Sequence, residues 1–376
     1  MTAHHPSLAV VGATGAVGRE MLAVLEQRRF PHAGIRLFAS PRSVGSTIRY
    51  RGEPVPVEAL GPGWHEGIDL ALMSAGSGPS KQFAPAALAA GVRIVDNSSA
   101  YRADPACHLV VPEVNAGVLR GDPRCAPGPR RPGAGVLCAV PNCSAIIMLV
   151  ALNPLRAAFG VQRISVATYQ AASGAGAAAM DELREQTRQA LQGVSPESLK
   201  RSVFAEPYAF NLFSHNAAMD PATGYNGEEL KMISETRRIW DDPRVLVSPT
   251  CIRVPTMRAH AEAIEVTLSR PATLAQVRGA LAGGEGVRLV DDRAANAFPT
   301  PLKATGGDEV LVGRVRADLA RLEELYGPEW RARGGSGVGG GGHEDLPCDR
   351  WSLFVAGDQL RTGAALTAVK IAELLI

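Results

Sequence analysis

Short apolar runs alternating with helix-period segments dominate the first 140 residues. Residues 8–11, 35–39, 69–74 and 92–96 read as buried strands, and 19–27 and the alanine-rich 81–90 read as helices. Strands that are apolar along their whole length are covered on both faces, which predicts parallel strands with helical crossovers. Ligands of such sheets lie at the strands' carboxyl ends, where Ser74-Ala75-Gly76 and Asn97-Ser98-Ser99 fall. Past residue 160 the pattern changes. A strand at 164–169 ends at Gln170 and a long helical stretch covers 177–192. Alternating segments at 244–254, 262–269 and 310–315 then predict a largely antiparallel sheet with helices on one face. The closing segment, 363–375, sets Leu366, Val369, Ile371, Leu374 and Leu375 on one side, and is expected to return to the first domain. The fold class is therefore α/β: a Rossmann-type doubly wound domain, residues 1–141 plus 357–376, and an α+β domain, residues 142–356.

Composition narrows the function. The chain has 376 residues, 46% hydrophobic and 20% charged, with a net charge of +2, which suits two packed domains and offers nothing to nucleic acid. Cys107, Cys125, Cys138, Cys143, Cys251 and Cys348 show neither CxxC nor Cys/His spacing, so no disulfide framework and no metal site is expected. No signal peptide or membrane-length run is visible, which makes a cytoplasmic protein with reduced thiols the default. The Pro-, Gly- and Arg-rich stretch 119–135 reads as a mobile surface insertion, with no function assigned to Arg130 or Arg131. The glycine tract 334–342 reads as a flexible loop.

Candidate chemistry begins where the first strand runs into Gly12-Ala-Thr-Gly-Ala-Val-Gly18 and then a helix. Strand, glycine turn and helix is the context of a dinucleotide fingerprint, although the spacing is GxxGxxG rather than GxGxxG. That makes Gly12, Thr14, Gly15, Ala16 and Val17 candidate cofactor contacts. The second strand ends in Ser40-Pro41-Arg42-Ser43 where an NAD site usually offers an acid. Donors there suit a 2′-phosphate, hence NADP, unless Arg42 is only a solvated loop residue. Pro141-Asn142-Cys143-Ser144 opens an apolar helix, so Cys143 is either a first-turn thiolate nucleophile or a buried structural cysteine. Asn226 can cap a helix with Glu229, and Glu228 and Lys231 then share a face, as ligands or as a solvated pair. Arg253 interrupts a strand as an edge residue or a ligand. His260 is a catalyst or a structural histidine.

These residues together resemble the aspartate-semialdehyde dehydrogenase family. The likeness runs through the glycine turn, Ser74-Ala-Gly76, Asp96-Asn-Ser-Ser-Ala-Tyr-Arg102, Val111-Pro-Glu-Val-Asn115 and Pro141-Asn-Cys-Ser144. It continues in Thr168-Tyr-Gln-Ala-Ala-Ser-Gly-Ala-Gly176, Glu228-Glu-Leu-Lys231, Thr250-Cys-Ile-Arg-Val-Pro255 and His260-Ala-Glu262. The resemblance implies NADP-dependent reductive dephosphorylation of L-aspartyl 4-phosphate to the 4-semialdehyde and phosphate. It also implies a second domain that is catalytic and dimerising, in a homodimer or dimer of dimers. By motif position it makes Cys143 the acylated nucleophile, His260 the general acid/base and Gln170 the residue orienting the acyl group. Arg253 would bind the α-carboxylate and Glu228 the α-ammonium, while Arg102, Lys231 and Asn142 hold phosphate. Ser74, Gly76, Ser173, Gly174 and Gln359 would join Ser40, Arg42 and Ser43 at the cofactor. An unperturbed imidazole pKa near ~6.5 suits His260 for both proton directions. The chain departs from the family pattern at Gln359 and Thr362, where Asn and Lys are usual. Two rivals stay open: another acyl-phosphate reductase of this architecture, or a silent paralogue kept for binding or assembly.

Overall fold

A computed structural model describes residues 5–126, 128, 131–330 and 344–376. The glycine tract 334–342 and Arg130 lie outside the described residues. The chain forms two compact units: Met1–Cys143, Ala175–Ala178 and Gln359–Ile376 make the first, and Ser144–Gly174 with Ala179–Asp358 the second.

In the first unit the strands are β1 (Ser7–Val11), β2 (Gly34–Ala39), β3 (Thr47–Tyr50), β4 (Glu53–Ala59), β5 (Leu70–Met73), β6 (Arg93–Asp96), β7 (His108–Leu109) and β8 (Val136–Ala139). They lie in the order β3-β4-β2-β1-β5-β6-β8-β7, parallel throughout except the β3–β4 hairpin. Every residue of β5, β6 and β8 is buried, as an apolar run in a sheet covered on both faces requires. Helices α1 (Ala16–Gln27) and α2 (Ser77–Ala89) follow β1 and β5. The order reverses between β1 and β5, and the crevice at the carboxyl ends there is where such sheets take a ligand. The hairpin was not anticipated: Pro54 and Pro56 in β4 break the strand signal.

Two expectations for this unit need correction. The 119–135 stretch is not simply a surface insertion. Short helices α3 (Pro112–Asn115) and α4 (Gly117–Arg120) lead into a turn at Pro123–Cys125, and the apolar Leu119 and Cys125 are buried. The closing segment packs on α1, β5 and β6 as expected, yet it starts as a π-helical turn, Arg361–Ala365, before helix Leu366–Glu373. Arg361 is buried there and donates to Glu20 (2.8 Å) and Gln27 (2.7 Å), while Leu374 is exposed rather than on the apolar side.

The second unit's strands are β9 (Val161–Gln170), β10 (Phe213–Ser214), β11 (Leu246–Arg253), β12 (His260–Ala272), β13 (Val287–Leu289), β14 (Val310–Ala317) and β15 (Cys348–Gly357). Their order is β10-β11-β9-β12-β15-β14-β13, with four of the six pairings antiparallel. Alternate residues of β9, β11 and β12 are buried, while Arg163, Ser165, Tyr169, Glu265 and Ile252 stay wholly or partly accessible, so one face is open. Helices α5 (Cys143–Phe159), α6 (Ala177–Leu191) and α7 (Gly227–Ile239) are among the helices of this part of the chain.

Candidate active site

The glycine turn explains its own spacing. Gly12 leaves β1 with a positive φ of 86°, and its N–H donates to Phe38 O (2.7 Å); any side chain there would strike the Ser74 carbonyl. Gly15 caps α1, its N–H donating back to Gly12 O (3.0 Å), and Ala16 and Val17 open the helix. A side chain at Gly18 would collide with the Gly12 carbonyl, so this glycine lets α1 close onto the turn. Gly76 has φ 88° and faces open space. Arg42 is exposed on the turn after β2, flanked by Ser40 and Ser43, and the Ser43 hydroxyl meets Thr14 Oγ1 at 3.3 Å. A glycine turn, a helix N-terminus and a cationic rim fit a dinucleotide.

Cys143 begins α5 with its thiol in no disulfide and partly accessible. Gly363 backs it: a Cβ on that glycine would lie 2.9 Å from Cys143 Cβ and 3.2 Å from Gln359 Cβ. Arg102 reaches the same loop, donating to Val140 O (2.8 Å) and Asn97 O (2.9 Å). The loop carrying Arg102 hangs on Asp96, a buried carboxylate that accepts from Ser80 Oγ (3.0 Å), Ser98 N (2.9 Å) and Ser98 Oγ (2.7 Å). Burial raises the Asp96 carboxyl pKa and those donors oppose the rise. Asn142 is buried beside the cysteine in sequence. Gln359 and Thr362 are also buried, and the Thr362 carbonyl accepts from Thr367 Oγ1 (2.6 Å).

In the second unit three polar side chains crowd one end of the sheet. Gln170 closes β9 opposite Arg253, which closes β11, and His260 opens β12; all three are buried. Gln170 Nε2 donates to Ser144 Oγ (2.7 Å) and reaches Glu228 Oε1 (3.4 Å). The consecutive acids of α7 divide their work. Glu229 completes a capping box with Asn226 and accepts the Cys251 N–H (2.9 Å), leaving Glu228 beside Gln170 and Lys231 Nζ (3.3 Å). Arg253 is no edge residue, since β11 lies between β10 and β9. Its guanidinium donates to Ala171 O (3.2 Å), His215 Nε2 (2.8 Å) and Asn216 Oδ1 (3.3 Å). His215 and Asn216 have no periodic or motif signal in the sequence. Burial and the Arg253 cation lower the His215 pKa to about 4, which keeps it an acceptor.

His260 corrects the expectation of an unperturbed imidazole. Complete burial, and then Arg253, lower its pKa to about 3, so it is neutral at pH 7. Its Nδ1 accepts the Ala171 N–H (3.0 Å), which places the proton on Nε2. Nε2 has no hydrogen-bond partner among the described residues and faces Gly174; a Cβ on that glycine would lie 2.9 Å from His260 Cε1, 3.0 Å from Nε2 and 3.1 Å from Arg253 Nη1. Ser173 is buried, its N–H on Met257 O (3.2 Å). Two residues past His260, Glu262 is wholly buried with neither oxygen partnered among the described residues, and burial holds its pKa far above the usual carboxylate range.

Known proteins resemble both units. The family profile described as "Semialdehyde dehydrogenase, NAD binding domain" matches residues 7–121, and "Semialdehyde dehydrogenase, dimerisation domain" matches residues 152–326. The chain is similar to the aspartate-semialdehyde dehydrogenase of Synechocystis sp., 42% identical over 369 residues, 98% of this chain and 97% of that one. The protein of that name from Aquifex aeolicus is 40% identical over 370 residues, with 98% and 97% covered. The crystal structure of aspartate semialdehyde dehydrogenase II complexed with ASA from Vibrio cholerae superposes with a TM-score of 0.85 at 38% identity. That match covers 99% of this chain and 98% of the other.

Proposed function

Since the chain belongs to the aspartate-semialdehyde dehydrogenase family, we propose that it converts L-aspartyl 4-phosphate to L-aspartate 4-semialdehyde and phosphate with NADPH. This is an early step toward lysine (through diaminopimelate), methionine, threonine and isoleucine. The observation that carries the reading is the pairing of Arg253 and Glu228 around Gln170. A guanidinium fork suits an α-carboxylate and a carboxylate suits an α-ammonium. Neither an N-acylated substrate nor a sugar phosphate offers both groups.

Cys143, at a helix N-terminus whose dipole favours a thiolate, attacks the acyl phosphate carbon. The tetrahedral adduct expels phosphate, for which Arg102, Lys231 and Asn142 are the donors, and leaves a thioester. NADPH, when held by the glycine turn, Ser40, Arg42, Ser43, Ser74, Gly76, Ser173, Gly174 and Gln359, supplies hydride. The resulting oxyanion accepts a hydrogen bond from His260 Nε2–H and then expels the Cys143 thiolate. Each collapse releases its own anion, so a neutral histidine acting as donor suffices. The acid/base role implied by resemblance narrows to donation in this direction. The open sheet face carrying Tyr169 and Phe354, whose rings lie 6.4 Å apart, is the surface through which we infer a homodimer.

The deciding assay follows NADP reduction with aspartate semialdehyde and inorganic phosphate. N-acetylglutamate semialdehyde and glyceraldehyde 3-phosphate serve as competing aldehydes. Phosphate-dependent turnover selective for aspartate semialdehyde is expected; preference for either competitor would overturn the assignment.

A further inference from the structure

Four side chains that the proposed chemistry leaves unused meet in the first unit. His108 on β7 stands opposite Cys138 on β8 in a parallel pairing. The turn Pro123–Cys125 then brings two more groups: Asp122, which caps it by accepting the Arg124 N–H (2.9 Å), and Cys125 at its end. His108 Nε2 lies 2.8 Å from Asp122 Oδ2, and one ligand atom from each of His108, Asp122 and Cys125 lies within 4.8 Å of the others. The Cys125 and Cys138 thiols lie near enough to each other to interact. Cys138 therefore neighbours His108 and Cys125, outside the trio whose ligand atoms lie within 4.8 Å of one another. Cys107 does not join them, since its thiol donates to Leu137 O (3.2 Å).

We infer that His108, Asp122, Cys125 and Cys138 form a zinc site. One imidazole nitrogen, one carboxylate oxygen and two sulfurs are a tetrahedral donor set for this ion. Bond lengths of about 2.0–2.3 Å set tetrahedral ligand atoms ~3.3–3.8 Å apart, so separations within the trio must close by up to roughly 1 Å and the Cys138 thiol must move in further. Access is available: a cavity of about 300 Å³ lined by Leu119, Asp122, Cys125 and Leu374 opens beside the cluster. The competitor is Arg124, whose guanidinium grips the Asp122 carboxylate at 2.6 and 3.0 Å. With 43% of its side chain exposed, Arg124 can swing into solvent as the cation enters. Binding releases the two thiol protons and takes the imidazole in its neutral form. The ion would tie the 117–126 excursion to β8. Sequence spacing hid this set because only the β7–β8 pairing brings position 108 to position 138.

The test uses the full chain carrying Cys143→Ala, so that the nucleophile's thiol does not report, after a chelator has been applied and removed. Titration with cobalt should give tetrahedral ligand-field bands and thiolate charge-transfer absorption saturating at one equivalent. Zinc should displace the cobalt, with competition against a metallochromic indicator giving the affinity. Cys125→Ser and His108→Gln in that background should each weaken zinc binding at least ~100-fold. Should a variant fail to fold, mass spectrometry of the Cys143→Ala protein decides: zinc must slow alkylation of Cys125 and Cys138. Absence of the thiolate band, an undiminished band in Cys125→Ser, unchanged alkylation, or binding only at millimolar metal shared by the variants would each overturn the site.

Discussion

Gly174→Ala isolates the positioning of His260. The new methyl carbon would stand 2.9 Å from His260 Cε1, 3.0 Å from Nε2 and 3.1 Å from Arg253 Nη1. Carbon contacts settle near ~3.5–4.0 Å, so the imidazole and guanidinium must each retreat by about 0.5–1 Å. Alanine meets no backbone objection, because Gly174 is not among the positive-φ glycines. Misplacing a reacting group by ~1 Å costs on the order of 10²-fold in rate, whereas overpacking one methyl costs about 1–3 kcal/mol of stability. The expected outcome is a kcat loss of ~10–100-fold in phosphate-dependent aspartate semialdehyde oxidation, in a protein that still unfolds cooperatively. KM for NADP should change much less than kcat, which separates this role from the cofactor contact at the same glycine. Wild-type kcat in folded Gly174→Ala, or a defect confined to KM for NADP, would refute the reasoning.

Three further outcomes follow from the same geometry. Arg42→Ala should lower kcat/KM for NADP much more than for NAD; an unchanged ratio would show that the exposed guanidinium does not read the 2′-phosphate. Burial holds the folded Glu262 carboxyl far above the value of about 4.5 it has when unfolded, so it destabilises increasingly as pH rises above that value. Glu262→Gln should therefore raise Tm relative to wild type at pH 8, with the gap shrinking toward pH 5. A Tm equal to or below wild type at pH 8 would contradict this. The buried histidines act in the opposite sense. Unfolded histidines bind protons below about pH 6.5, but His215 and His260 do so only near about 4 and about 3. Each removes stability as pH falls through that window, with a limiting slope of ~1.4 kcal/mol per pH unit. His215→Gln should flatten the acid limb of stability against pH by one histidine's share; an identical limb would argue against its neutral state.

What the sequence disclosed depended on how local each signal was. The glycine turn, the buried strands β1, β5 and β6, and the capping box at Asn226 are written within a dozen residues, so periodicity and spacing expose them. The division between Glu228 and Glu229 was legible once the cap was placed, since the N3 acid is consumed by Asn226. By contrast, the carboxylate fork around Arg253 rests on His215 and Asn216, which reach it only because β10 pairs antiparallel with β11. Strand β15 runs between β12 and β14, but Asp349 and Arg350 near its start blur its alternation. The neutrality of His260 depends on complete burial, a property of the assembled sheet rather than of its neighbours in the chain. The same holds for Cys125, which reads as part of a polar excursion and is instead buried.

The central claim is that Cys143 carries the acyl group. Mixing the enzyme with aspartate semialdehyde and NADP without phosphate should give a burst of NADPH of one equivalent per active site. The intact protein should gain the mass of one aspartyl group, located by digestion on the Cys143 peptide and discharged when phosphate is added. A burst without that adduct, or an adduct that persists in Cys143→Ala, would contradict the account.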